Sequence, residues 1–104
     1  MIDFTSQEWL RQFKAMTPPE QILKIAKLIH TITMLARDTY DMDSDFGVAK
    51  PATLRGTNEL VQRLSSLAVG IGSGNERDLD SFIDGTFWAL ENGLTRLKIP
   101  KKLL

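Results

Sequence analysis

The chain has no cysteine and a single histidine in 104 residues. The first absence removes disulfides, thiolate nucleophiles and thiolate metal sites together. The second leaves too little imidazole for a zinc or di-iron centre, which needs several histidines or paired Glu-x-x-His motifs on helices. Net charge is missing too. The 13 acidic residues balance 13 basic ones, so no overall field draws the molecule toward nucleic acid or anionic lipid. No uncharged run is long and apolar enough to cross a bilayer. The opening MIDFTSQEWL has no basic stretch followed by an apolar core of the secretory kind. A water-soluble, cytoplasmic protein is the expectation. At 42% hydrophobic and 25% charged residues the composition is that of an ordinary globular domain. The length suits one core: a single domain over 1–104 that ends in a short basic tail, 98–104.

What is present in quantity is helical patterning. Phe4-Thr5-Ser6-Gln7-Glu8-Trp9 reads as a helix start, with Thr5 as N-cap, Glu8 at N3 closing a capping box, and Phe4 and Trp9 as a hydrophobic staple. The segment MTPPEQ repeats the device: Thr17 caps, Pro18 takes N1 and Glu20 is N3. These signals predict a short helix over 6–15 and a longer one over 18–40. In the second, Ile22, Ile25, Ala26, Leu28, Ile29, Ile32, Leu35 and Ala36 cover about half the circumference, as in a central helix with several neighbours. A third helix, 53–69, carries Leu54, Leu60, Val61, Leu64, Leu67 and Ala68 on one stripe, and Gly70 is a natural terminator. A fourth, 76–98, aligns Leu79, Ile83, Phe87, Leu90, Leu94 and Leu97 and stops at Pro100. Period-two alternation is nowhere sustained. The fold class is therefore all-α, a single-domain helical bundle of about four helices.

Two stretches look like chemistry. In TYDMDSDFGVAKP, residues 39–51, Asp41, Asp43 and Asp45 fit the first three ligand positions of a calcium loop. Phe46 then stands where the loop needs glycine and Ala52 where it needs a bidentate carboxylate, so the segment reads as a polar turn. GIGSGN, 70–75, has its third glycine one residue too early for a dinucleotide fingerprint, follows a helix rather than a strand, and lacks the Gly-Lys-Ser/Thr of a P-loop. His30 projects from the edge of the second helix and reads as a partly buried structural side chain. Nothing resembles a nucleophile elbow. The sequence points to no catalytic residue, no metal ligand and no cofactor, hence to a protein that is not an enzyme.

The fourth helix holds two oddities. Trp88 lies about 140° from the Ile83 direction at 100° per residue, so it needs cover from the first helix or from a second chain. Gly85, Ala89 and Gly93 form a ladder of small residues at i, i+4 and i+8, a place where another helix, of this chain or of a partner, can approach closely. Polar clusters stand at Arg37, Asp38 and Tyr40 and at Asn58, Glu59, Gln62 and Arg63, and Glu59 and Arg63 have the i, i+4 spacing of a surface ion pair. If the clusters meet, they form a register-fixing network or a recognition surface. The segments ARDTY and LRGTNELVQRL resemble small helical bacterial proteins of no assigned activity. That resemblance implies a bacterial source and nothing about chemistry. The expected function is protein–protein interaction, with another protein or as a homodimer, in an adaptor, regulator or immunity-type role, through Trp88, Gly85, Ala89 and Gly93. One alternative is a small ligand or divalent metal held by the acidic segment 38–47. Another is weak nucleic-acid binding through the basic tail.

Overall fold

The first, second and fourth helices each begin where a side chain accepts from an amide that the first turn leaves open. The computed structural model describes residues 2–43 and 51–104. Its helices are α1 (Gln7–Ala15), α2 (Pro18–Asp43), α3 (Pro51–Ser73) and α4 (Leu79–Leu97), followed by a 3₁₀ turn, Lys101–Leu103. Among the described residues there is no strand. The chain is the all-α four-helix bundle that the periodicity predicts.

The first cap is shifted by one residue from the expected place. Ser6, not Thr5, is the N-cap of α1, and its Oγ accepts from the Trp9 amide at 3.1 Å. Thr5 is taken up by Asp3, whose carboxylate accepts from the Thr5 hydroxyl at 2.6 Å and its amide at 3.0 Å. These bonds, the Thr5 hydroxyl first, hold the Asp3 carboxyl below its usual range. Glu8 does not return to the cap; it pairs instead with Arg11 and Gln12. At the next start Thr17 behaves as expected. Its hydroxyl donates to Glu20 at 2.9 Å, and its carbonyl accepts the first helical bond of α2 from Gln21. The buried Gln21 side chain turns back to donate to the Phe13 carbonyl at 3.0 Å, which fixes how α1 meets α2.

The long helices pack as neighbouring antiparallel rods. The last turn of α3 lies beside the first of α2, where Gly72 approaches Ile22. α3 and α4 run in opposite directions, with Gly56 against Leu97, Leu60 against Gly93 and Gly70 against Phe82. α1 folds back along α4, so that Phe4, Trp9 and Phe13 surround Phe87 with ring centroids 4.6–5.9 Å apart. The core threads through all of this: Ile25, Leu28, Ile32 and Ala36 from α2, Leu60, Leu64, Leu67 and Ile71 from α3, and Ile83, Phe87, Leu90 and Leu94 from α4.

The long helices depart from their predicted bounds for identifiable reasons. α3 does not stop at Gly70 but continues to Ser73. Ile71 extends the buried stripe of Leu60, Leu64 and Leu67 by one turn, and burial of such a side chain, worth about 1.5–3 kcal/mol, outweighs a glycine penalty of about 1 kcal/mol. The left-handed terminator is Gly74, at φ 68°. α2 runs on to Asp43, and α4 begins only at Leu79, because Asp78 is its N-cap and accepts from the Ser81 amide at 3.2 Å. On α2, Ala26 is exposed rather than part of the core, and His30 is exposed rather than half-buried.

α4 ends in a Schellman motif. Lys98 adopts φ 58°, the Ile99 amide bonds the Leu94 carbonyl at 3.0 Å, and Ile99 is buried. A left-handed conformation costs a lysine about 1–2 kcal/mol and a glycine almost nothing. Replacing Lys98 with glycine is therefore expected to raise stability by about 0.5–1 kcal/mol, after the lost charge at the helix end is discounted. Thermal unfolding would show a rise on the order of 5 °C; no rise would mean the left-handed turn is not formed.

Candidate functional site

Among the described residues four large apolar side chains are exposed, Leu23, Met34, Val69 and Trp88, and the aromatic one stands on the face of α4 turned away from the core. At 100° per residue, Trp88 lies about 160° from Leu90, which is buried. It is 63% exposed. Helix α1 does not reach over it, because the indole that α1 supplies, Trp9, packs on Phe87 instead, at 4.6 Å. The cover predicted from within the chain is absent among the described residues. The Trp88 carbonyl accepts from the Asn92 side chain at 2.7 Å, so the backbone beneath the ring is satisfied and the indole alone faces outward.

Beside Trp88 runs the groove between α3 and α4. One end, about 310 Å³, is bounded by Trp88, Ala89, Asn92, Gly93 and Arg96 from α4 and by Glu59, Leu60 and Arg63 from α3. The next stretch, about 380 Å³, shares Glu59 and Arg63 and continues to Gln62, Ser66, Phe82 and Thr86. Residues that the sequence placed in separate groups thus meet here: the outward-facing Trp88, then Ala89 and Gly93 of the small-residue ladder, and Glu59, Gln62 and Arg63 of one polar cluster. The groove has a small-residue floor and a polar wall on its α3 side.

The small residues serve different purposes. A Cβ on Gly93 would stand 2.6 Å from Leu60 Cδ2, closer than carbon atoms pack, so this glycine belongs to the α3–α4 crossing. Gly85 has nothing within 4 Å of the place a Cβ would occupy and is exposed. Ala89, half-buried, lies between them. The ladder is therefore one intrachain contact and one open position, not a single continuous feature.

The remaining predicted residues separate from this face. Arg37 is exposed on α2 and does not line the groove. The side chains of Asp38 and Tyr40, and loop residues 44–47, lie outside the described residues. Asn58 is exposed on α3. The expected Glu59–Arg63 pair is not made: the ion pairs among the described residues are Arg11–Glu8, Lys14–Asp84 and Lys101–Glu91. Both side chains are exposed, where such a pair returns too little to hold two long side chains together. Among the described residues no three His, Asp or Glu side chains gather in a way that could hold a metal ion.

The flank of α4 away from α3 is spoken for. Lys14 reaches across from α1 to Asp84 at 2.9 Å, and that carboxylate holds the ammonium above its ordinary range. Farther along, Glu91 accepts from the Phe4 amide at 3.2 Å and from the Lys101 ammonium, which also bonds the Thr95 hydroxyl at 3.0 Å. The basic tail is folded down by these bonds, with Ile99 buried and Leu104 packed on the core. Lys101 is tied up in the fold, leaving Arg96, Lys98 and Lys102 as exposed bases.

Sequence reasoning missed the Glu91 junction. Its signal was only an acid in the fourth helix followed ten residues later by a lysine, and the αL turn at Lys98 that brings the two together has no glycine to announce it. Among the described residues no helix is long and apolar enough to cross a membrane. Comparisons of the chain with protein-family models, with curated proteins and with solved structures found no match in any of the three.

Proposed function

We propose that this chain is a non-enzymatic helical interaction module that presents the outer face of α4 and the adjoining α3–α4 groove to another protein chain. The observation that carries the reading is Trp88, exposed at the groove's rim. Tryptophan is among the residues most enriched at the energetic centres of protein interfaces, because it buries a large rigid surface at small entropic cost. The residues around it suit that role. Ala89 and the open Gly85 leave the neighbouring backbone accessible, and Glu59, Arg63, Asn92 and Arg96 supply a polar rim of the kind interfaces carry.

A photo-crosslinking amino acid at position 88, installed in the protein in its own cells, tests this directly. A discrete covalent product is expected from position 88. The same probe at Val69, which is exposed on α3, serves as the comparison. Equal and diffuse labelling from both positions would end the reading.

A further inference from the structure

We infer that the chain occupying this face is a second copy of the same protein, docked antiparallel along α4 about a two-fold axis at Trp88. The inference rests on the interaction reading above and names its partner. The two ends of α4 carry charges of opposite sign. Asp78 and Asp80 stand at the start, Arg96 and Lys98 at the finish, and all four are exposed. None enters an ion pair among the described residues. Counted from Trp88, the acids lie ten and eight residues back and the bases eight and ten residues onward, roughly 12–15 Å in each direction at the rise of an α-helix. A two-fold axis through Trp88 therefore brings the acids of one copy over the bases of the other, at both ends at once.

An interface between identical surfaces has to be self-complementary in this way. A parallel arrangement would set like charges together instead, which costs binding. The angular placement agrees. Within α4, Asp80 and Arg96 fall on opposite flanks of Trp88, each about 80° away; in an antiparallel pair each flank meets the same flank of the partner, so Asp80 lies toward the basic end of the second copy and Arg96 toward its acidic end. Between the ends the seam carries Ser81, Gly85, Asn92 and Thr95, all exposed, and the exposed Asp84, whose charge Lys14 of the same chain offsets. The two indoles are its large apolar groups, and in a two-fold pair each covers the other. The helix dipole favours acids at the start and bases at the end within one chain; an antiparallel copy uses the same placement a second time.

Sedimentation equilibrium of the full chain, from micromolar to millimolar concentration and at low and high salt, tests the proposal. A reversible dimer that weakens with salt is expected. Trp88→Ala should raise its dissociation constant at least tenfold. Asp80→Lys and Lys98→Asp should each raise it about 3–10-fold, whereas mixing these two variants should restore association, because every charge then faces its opposite. Gly85→Lys is the variant least able to harm the fold, since its side chain enters open space; it should abolish the dimer while melting no lower than the wild type. A chain that stays monomeric throughout, a dimer indifferent to Trp88→Ala and Gly85→Lys, or a mixture no tighter than its components would overturn the proposal. A monomer that still crosslinks from position 88 to a different protein would overturn it while leaving the interaction reading intact.

Discussion

Phe87→Ala is expected to cost about 3–5 kcal/mol, while the same change at the next residue, Trp88, leaves stability within about 0.5 kcal/mol. Phe87 is fully buried and touches Phe4, Trp9 and Phe13 at centroid distances of 5.9, 4.6 and 4.9 Å. Its removal takes a ring out of the aromatic cluster that holds α1 to α4. The cavity would be lined by three aromatic side chains that cannot collapse into it without moving α1. For a chain of this size the loss corresponds to roughly 15–25 °C in unfolding temperature. Circular dichroism melts of the two variants side by side make the comparison. A Trp88→Ala loss as large as that of Phe87→Ala would show that the indole is covered within its own chain.

Glu91→Ala is expected to have the next largest effect, about 2 kcal/mol. The carboxylate sits between the two ends of the chain, accepting from the Phe4 amide and from Lys101. The Lys101 and Glu91 side chains are 14% and 19% exposed. Breaking a fully buried pair by removing one member costs about 3–5 kcal/mol, and the residual exposure lowers that figure here. Lys101→Ala should cost less, because Glu91 then keeps its bond to Phe4 and some contact with water. In urea unfolding, the double variant should fall short of the summed single losses by about 1 kcal/mol. Additive losses would mean that the two residues do not act on one another.

How much of this could be read from the chain depended on whether a local pattern had a competitor. The stripes of α3 and α4 were legible because 3.6-residue periodicity over several turns admits one burial pattern, and Leu60, Leu64, Leu67, Ile83, Leu90 and Leu94 are all buried as it predicts. The start of α1 was misread by one residue because two adjacent hydroxyls could cap it, and Asp3, three-dimensionally close to Thr5, decided between them. The end of α3 was misread because a glycine's local preference competes with burial of Ile71, and packing is not local. His30 and Ala26 were misplaced for a related reason: an apolar arc half a helix wide does not say which edge is covered. At the candidate site, the outward direction of Trp88 followed from helical geometry alone. Its meeting with Glu59 and Arg63 did not, because it depends on the register between α3 and α4, which Gly93 and Leu60 set by their contact.

The attachment of α1 to α4 also bears on how the protein is made. The bond from Phe4 to Glu91 joins residues 87 positions apart, whereas α3 and α4 meet across only the residues between Ser73 and Leu79. Contacts between distant residues carry the greater loop-closure entropy and form later. Synthesis adds to the delay, since α1 leaves the ribosome before α4. Phe4, Trp9 and Phe13 are without their partner ring until residue 87 has emerged, so of these four helices α1 is made before the others and placed after them.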